Sequence, residues 1–124
     1  MARKLIYGTV LLLAISFFSL SYAELAGIKR GMVNNLSQMQ MLFAYLTSED
    51  FGRAADPASA LTQAGAGNEQ RNKGKAAEPY YAALRSAGEK MQQAIKQKDM
   101  AAAGDAYAEL TKACIGCHAA LRKE

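Results

Sequence analysis

Apolar residues recur at helical intervals along most of this chain. Ile28, Met32, Leu36, Met39, Phe43 and Leu46 are spaced four, four, three, four and three apart, which predicts an amphipathic helix of about five turns. Thr47 and Ser48 with Glu49 and Asp50 form a capping signal for a second helix, whose apolar members are Phe51, Ala54, Ala55, Ala58 and Leu61. Pro57 interrupts that run and predicts either a kink or a restart, with Asp56 as cap and Pro57 in the first turn. Residues 65–76 hold three glycines, two asparagines and four charged side chains but no large apolar residue, so they predict a mobile surface connection without core.

Glu78-Pro79 opens a third helix, with Tyr80, Leu84, Ala87, Met91 and Ala94 on its apolar face. Asp99 caps a fourth, in which Met100, Ala103, Tyr107, Leu110, Cys114, Cys117 and Leu121 alternate three and four apart. Four amphipathic helices, short links and no strand pattern predict an all-α fold, an antiparallel up-down-up-down four-helix bundle. Such bundles build cofactor sites between facing helices.

The first residues carry a different pattern. Arg3 and Lys4 precede an apolar run from Leu5 to Leu20, and Ser21-Tyr22-Ala23 has the small-x-small form of a cleavage site, so residues 1–23 are expected to be a secretory signal peptide. An uncleaved membrane anchor is the alternative; against it, the run is shorter than the roughly 20 residues that span a bilayer. Cleavage after Ala23 leaves residues 24–124, 101 of the 124, as one compact domain without a membrane span. Of the 15 Lys and Arg, two lie in the leader, so 13 face 11 acids and the mature chain is formally +2. That balance gives no nucleic-acid footprint.

The chemistry is concentrated near the end of the fourth helix. Cys114-Ile115-Gly116-Cys117-His118 is a C-x-x-C-H motif, and it contains both cysteines and the one histidine of the chain. Residues three and four apart share a helix face, so two thiols can reach the two vinyl groups on one porphyrin edge while the imidazole, one turn after Cys114, meets the iron. This is the attachment signature of a covalent haem c. A disulfide or thioredoxin-like pair is an alternative, but it leaves His118 unexplained and wants a strand before the helix. A zinc site would lack a fourth Cys or His. A secretory signal together with this motif points to the bacterial periplasm.

With Arg122 four residues after His118, and Met32-x-x-Asn35-x-x-x-Met39-x-x-Leu42 in the first helix, the chain resembles the class II c-type cytochromes, the cytochrome c-prime family. The resemblance covers essentially all of residues 24–124. It implies His118 as proximal iron ligand and, in the low-spin branch of the family, Met32 as the distal one. Met39 shares the face of Met32 but sits roughly 10 Å further along the helix, so only one of the two reaches a single iron. Either methionine is also suited to plain core packing. The chain departs from the family pattern at Leu121, where an aromatic residue commonly precedes the Arg, and at Ile28, where the family often has an Arg. The resemblance places Arg122 near the haem, where its charge would favour electron uptake; a cation complementing the helix dipole is the other reading of it.

Ligation by both His118 and Met32 leaves no open iron site, so the expected function is single-electron transfer between periplasmic partner proteins, with no enzyme activity. The alternative is a five-coordinate haem protein that binds nitric oxide or carbon monoxide, with Met32 only packing. Lys112, Lys123, Arg71, Lys73 and Lys75 could guide an acidic redox partner or simply be solvated. Tyr80 and Tyr81 could line the haem, a subunit interface or the core. An exposed seam on the first two helices would suit a homodimer.

Overall fold

The computed structural model describes residues 26, 27 and 29–122. The expected signal peptide, Ile28 and Lys123 lie outside these residues. Four helices and no strand are found among the described residues, consistent with a four-helix bundle. They are α1 (residues 29–47, helical also at 26 and 27), α2 (Phe51–Arg71), α3 (Glu78–Gln97) and α4 (Met100–Leu121). None of them is long and apolar enough to cross a membrane.

The chain divides into a unit Met1–Asn34 and a main unit Asn35–Glu124. In the first, the described residues are helical; Met32 is half-buried and Val33 exposed. The second holds the core. Leu42, Leu61, Met91 and Leu110, one from each helix, are its largest fully buried side chains, and alanines 54, 58, 87, 94, 103, 106 and 113 fill the space between them. Alanine at so many contacts lets helix axes approach closely.

Two corners of the bundle are built the same way. Glu49 (φ 56°) and Lys98 (φ 52°) each take the left-handed conformation that ends a helix. In each case the next residue is an aspartate whose own N–H reaches back to a helix carbonyl, Asp50 to Tyr45 at 2.8 Å and Asp99 to Ala94 at 3.0 Å. The same aspartate then caps the following helix. The Asp50 carboxylate accepts from the Arg53 N–H at 2.9 Å, and Asp99 from that of Ala102 at 3.0 Å. The Arg53 N–H and guanidinium hold the Asp50 carboxyl below its usual range.

Of the two expectations at Pro57, the restart is excluded, since α2 runs through it as one helix. One expectation is corrected, since α2 continues through Gly65 to Arg71, where a surface connection was expected. Pro57 is buried beside Ala54, Ala58 and Leu61, so tertiary packing offsets its missing N–H. Gly65 is buried because a Cβ there would lie 2.5 Å from the Arg85 backbone nitrogen; the absence of a side chain is what lets α2 and α3 touch. Asn68 and Asn72 return side-chain hydrogen bonds to the carbonyls of Ala64 and Asn68, and Glu69 pairs with Arg85 at 2.7 Å.

The stripe on α1 is rotated relative to its expected position. Met39, Leu42 and Leu46 are buried, whereas Leu36 (60% exposed) and Phe43 (56%) lie on the flank. At about 100° per residue, Leu36 and Phe43 sit roughly 80° round from the centre of the buried trio, so a sequence stripe of this width cannot all face inward. In α4 the expected seam is buried at Ala103, Leu110 and Cys117 and half-buried at Tyr107 and Cys114, but Met100 and Leu121, at its ends, are exposed.

Candidate functional site

The last two turns of α4 hold Cys114, Cys117 and His118. On an ideal helix the three fall within an arc of about 100°. Cys117 is buried, Cys114 is half-buried against the core, and His118 is exposed. Both thiols are free. Burial pushes both thiols above their ordinary ionisation range, and at Cys114 the neighbouring Cys117 adds to the effect.

Helix α3 covers this stretch with tyrosines. The Tyr80 ring lies against Gly116, where a Cβ would approach its Cε1 to 2.7 Å. Gly116 is therefore a packing notch inside the motif, a role that the bare C-x-x-C-H spacing does not signal. Tyr80 and Tyr81 are half-buried, as is Tyr107 of α4. Burial makes the Tyr81 and Tyr107 phenols harder to ionise than an ordinary tyrosine, with nearby cysteines contributing at both and Arg71 opposing at Tyr81.

Arg122 closes α4. It is exposed, and both its backbone N–H (3.3 Å) and its Nε (3.4 Å) point at the His118 carbonyl oxygen. A cation at the last carbonyls complements the helix dipole. Met32 belongs to the unit Met1–Asn34. Met39, the other seam methionine, is buried in the core of the main unit, and Met41 is exposed. Arg71, Lys73, Lys75 and Lys112 are exposed, as solvated cations are.

No family model, curated protein or solved structure matches this chain. Among the described residues, no group of three His, Cys, Asp or Glu side chains is arranged to hold a metal ion. A cleft of about 320 Å³ lies between the end of α2 and the start of α3, lined by Ala66, Glu69, Gln70, Lys73, Glu78 and Arg85. It includes none of Cys114, Cys117 and His118, and its walls are charged. Glu69 and Glu89 both bind Arg85 and raise its ionisation further, which suits a fixed structural ion pair better than an apolar ligand.

The raised thiols set a pH dependence. A group that folding makes harder to ionise favours the native state fully below its ordinary value, here 9.0, and that contribution is lost as pH rises through the raised one. In cofactor-free protein the urea midpoint should accordingly fall as pH is raised from about 8 to about 10. A Cys114→Ser/Cys117→Ser variant should lose less over the same interval; an identical loss in both would show that the thiols do not contribute.

Proposed function

We propose that this chain is a periplasmic c-type cytochrome of the class II kind. In this reading an antiparallel up-down-up-down bundle carries one haem c on Cys114 and Cys117, with His118 and Met32 as axial ligands, and passes single electrons between periplasmic partner proteins. The carrying observation is the pair of free thiols on the inward arc of α4, followed at once by an exposed imidazole. The antiparallel order is supported by the partners across the helices. Thr62 meets Gln92, Glu69 meets Arg85, and Lys90 meets Glu109, each the register of neighbours running in opposite directions.

The donor set suits this cofactor. Each thiol adds its S–H across a vinyl double bond, sulfur to one carbon and hydrogen to the other, so attachment consumes no oxidant. Cys117 is buried, which shields its thioether from water, while exposed His118 offers a ring nitrogen without unfolding the helix. The haem supplies a one-electron iron couple, and His/Met ligation raises its potential. Arg122, bound to the His118 carbonyl, keeps a positive charge one turn from the proximal ligand and favours the reduced state. Exposed apolar side chains at Leu36, Phe43 and Ile115 supply surface for a macrocycle or partner to cover. With the one histidine of the chain on iron, this reading makes the protein a carrier rather than an enzyme.

Optical spectra of periplasmically matured protein, ferric and ferrous, with and without carbon monoxide, test the assignment when repeated on Met32→Ala. The expected wild-type spectrum is low-spin and inert to carbon monoxide, and the substitution should make it high-spin and ligand-binding. A wild type already high-spin and reactive to carbon monoxide would replace electron transfer with the five-coordinate, gas-binding function.

A further inference from the structure

Tyr107 lies on α4 seven positions before Cys114, about two turns away on the same seam. Its hydroxyl donates to the Met39 carbonyl oxygen of α1 at 3.2 Å, and its ring meets that of Phe43 at 5.9 Å between centroids, tilted by 53°. Among the described residues this is the one side-chain hydrogen bond between α1 and α4. The Met39 carbonyl lies inside a helix, so the phenol uses its second lone pair and leaves the helix bond in place. Thr111 anchors the other side, donating to the Tyr107 carbonyl at 3.0 Å.

Apolar contacts such as those of Leu42 and Leu110 draw helices together but leave small rotations and slides cheap. A directional bond to one carbonyl, flanked by a tilted aromatic contact, picks out a single register. Tyr107 is also close enough to Cys114 for the thiol to influence its phenol. The same side chain thus touches α1 and borders the thiol-bearing stretch of α4.

We infer that Tyr107 is the positioning residue that fixes the register of α1 against the cysteine-bearing part of α4, and so sets how readily a distal ligand reaches the iron. The inference rests on the haem reading above. Removing only the hydroxyl leaves the ring packed and frees the register, so distal chemistry should change more than stability does.

The test is Tyr107→Phe in matured holoprotein, made alone for ferric spin state and melting temperature, and in the Met32→Ala background, where the distal site is open, for carbon monoxide association to the ferrous form. The expected result is association faster by about fivefold than in Met32→Ala alone, the scale of one net hydrogen bond, and more high-spin ferric iron in the single Tyr107→Phe variant than in wild type. Haem staining and melting temperature should stay close to wild type. Tyr107→Leu, which also removes the ring contact, should show a larger rate change. An unchanged rate and spin state in a Phe variant that keeps its haem would overturn the inference and leave the cytochrome reading standing. A lowered melting temperature with unchanged distal chemistry would do the same, since it marks plain packing. Wild-type protein without covalent haem would overturn both.

Discussion

Replacing both Cys114 and Cys117 with alanine should abolish haem staining of the chain on a denaturing gel. Thioether bonds survive unfolding, whereas a haem held only by an iron ligand dissociates once the bundle opens. Each single alanine variant should keep one thioether and stain more weakly. His118→Ala should keep both thioethers and the stain, but lose the proximal bond and change the spectrum in both oxidation states. The variants thus separate the roles that the proposed haem site assigns to the motif: two residues for attachment, one for ligation. Full staining of the double variant would remove the cysteines from the site, and a normal spectrum in His118→Ala would remove that ligand assignment.

Gly65→Ala should cost the largest share of fold stability, about 3 kcal/mol, at the upper end of what overpacking costs. The added Cβ would stand 2.5 Å from the Arg85 nitrogen and 2.8 Å from its Cα, and backbone cannot rotate away as a side-chain tip can. The α2–α3 pair would have to separate, loosening the contact between Thr62 and Gln92 as well. Gly104→Ala is the matched control. That glycine lies in α4 with open space around it, so alanine there should stabilise by roughly 0.5–1 kcal/mol through helix propensity alone. Urea unfolding of the two variants beside wild type measures both effects. Equal changes would mean that the close approach at Gly65 is not a constraint.

The helices of this protein are largely legible in its sequence because their signals are local. Periodicity placed Leu84, Ala87, Met91 and Ala94 on one buried face of α3, Pro79 marked its start, and Asp99 marked the start of α4. At α2 the capping signal of residues 47–50 was right in place, but only Asp50 caps, while the Thr47 and Ser48 hydroxyls donate back to α1 carbonyls. Residues 65–71 misled for the opposite reason. Glycine, asparagine and charge are what a loop contains, yet Gly65 is what a close helix crossing requires, and composition does not distinguish the two. The left-handed residues Glu49 and Lys98 were equally hidden, since neither is the glycine or asparagine that usually announces such a cap.

The candidate site divides along the same line. Cys114, Cys117 and His118 are adjacent in the chain, so their types and spacing state a chemistry before any fold is known. The sequence alone also determines that the chain holds one histidine and two cysteines, and therefore at most one site of this kind. Tertiary structure decided the surroundings: Cys117 buried and His118 exposed, Tyr80 seated in the Gly116 notch, and Tyr107 bonded to Met39. It also decided which part of the α1 stripe faces the core, leaving Leu36 and Phe43 outside. The physical reason is range. Capping, periodicity and motif spacing act within a turn or two of helix, whereas a notch, a hydrogen bond between helices or the rotation of a helix about its axis depends on side chains far apart in sequence that meet only after the helices pack.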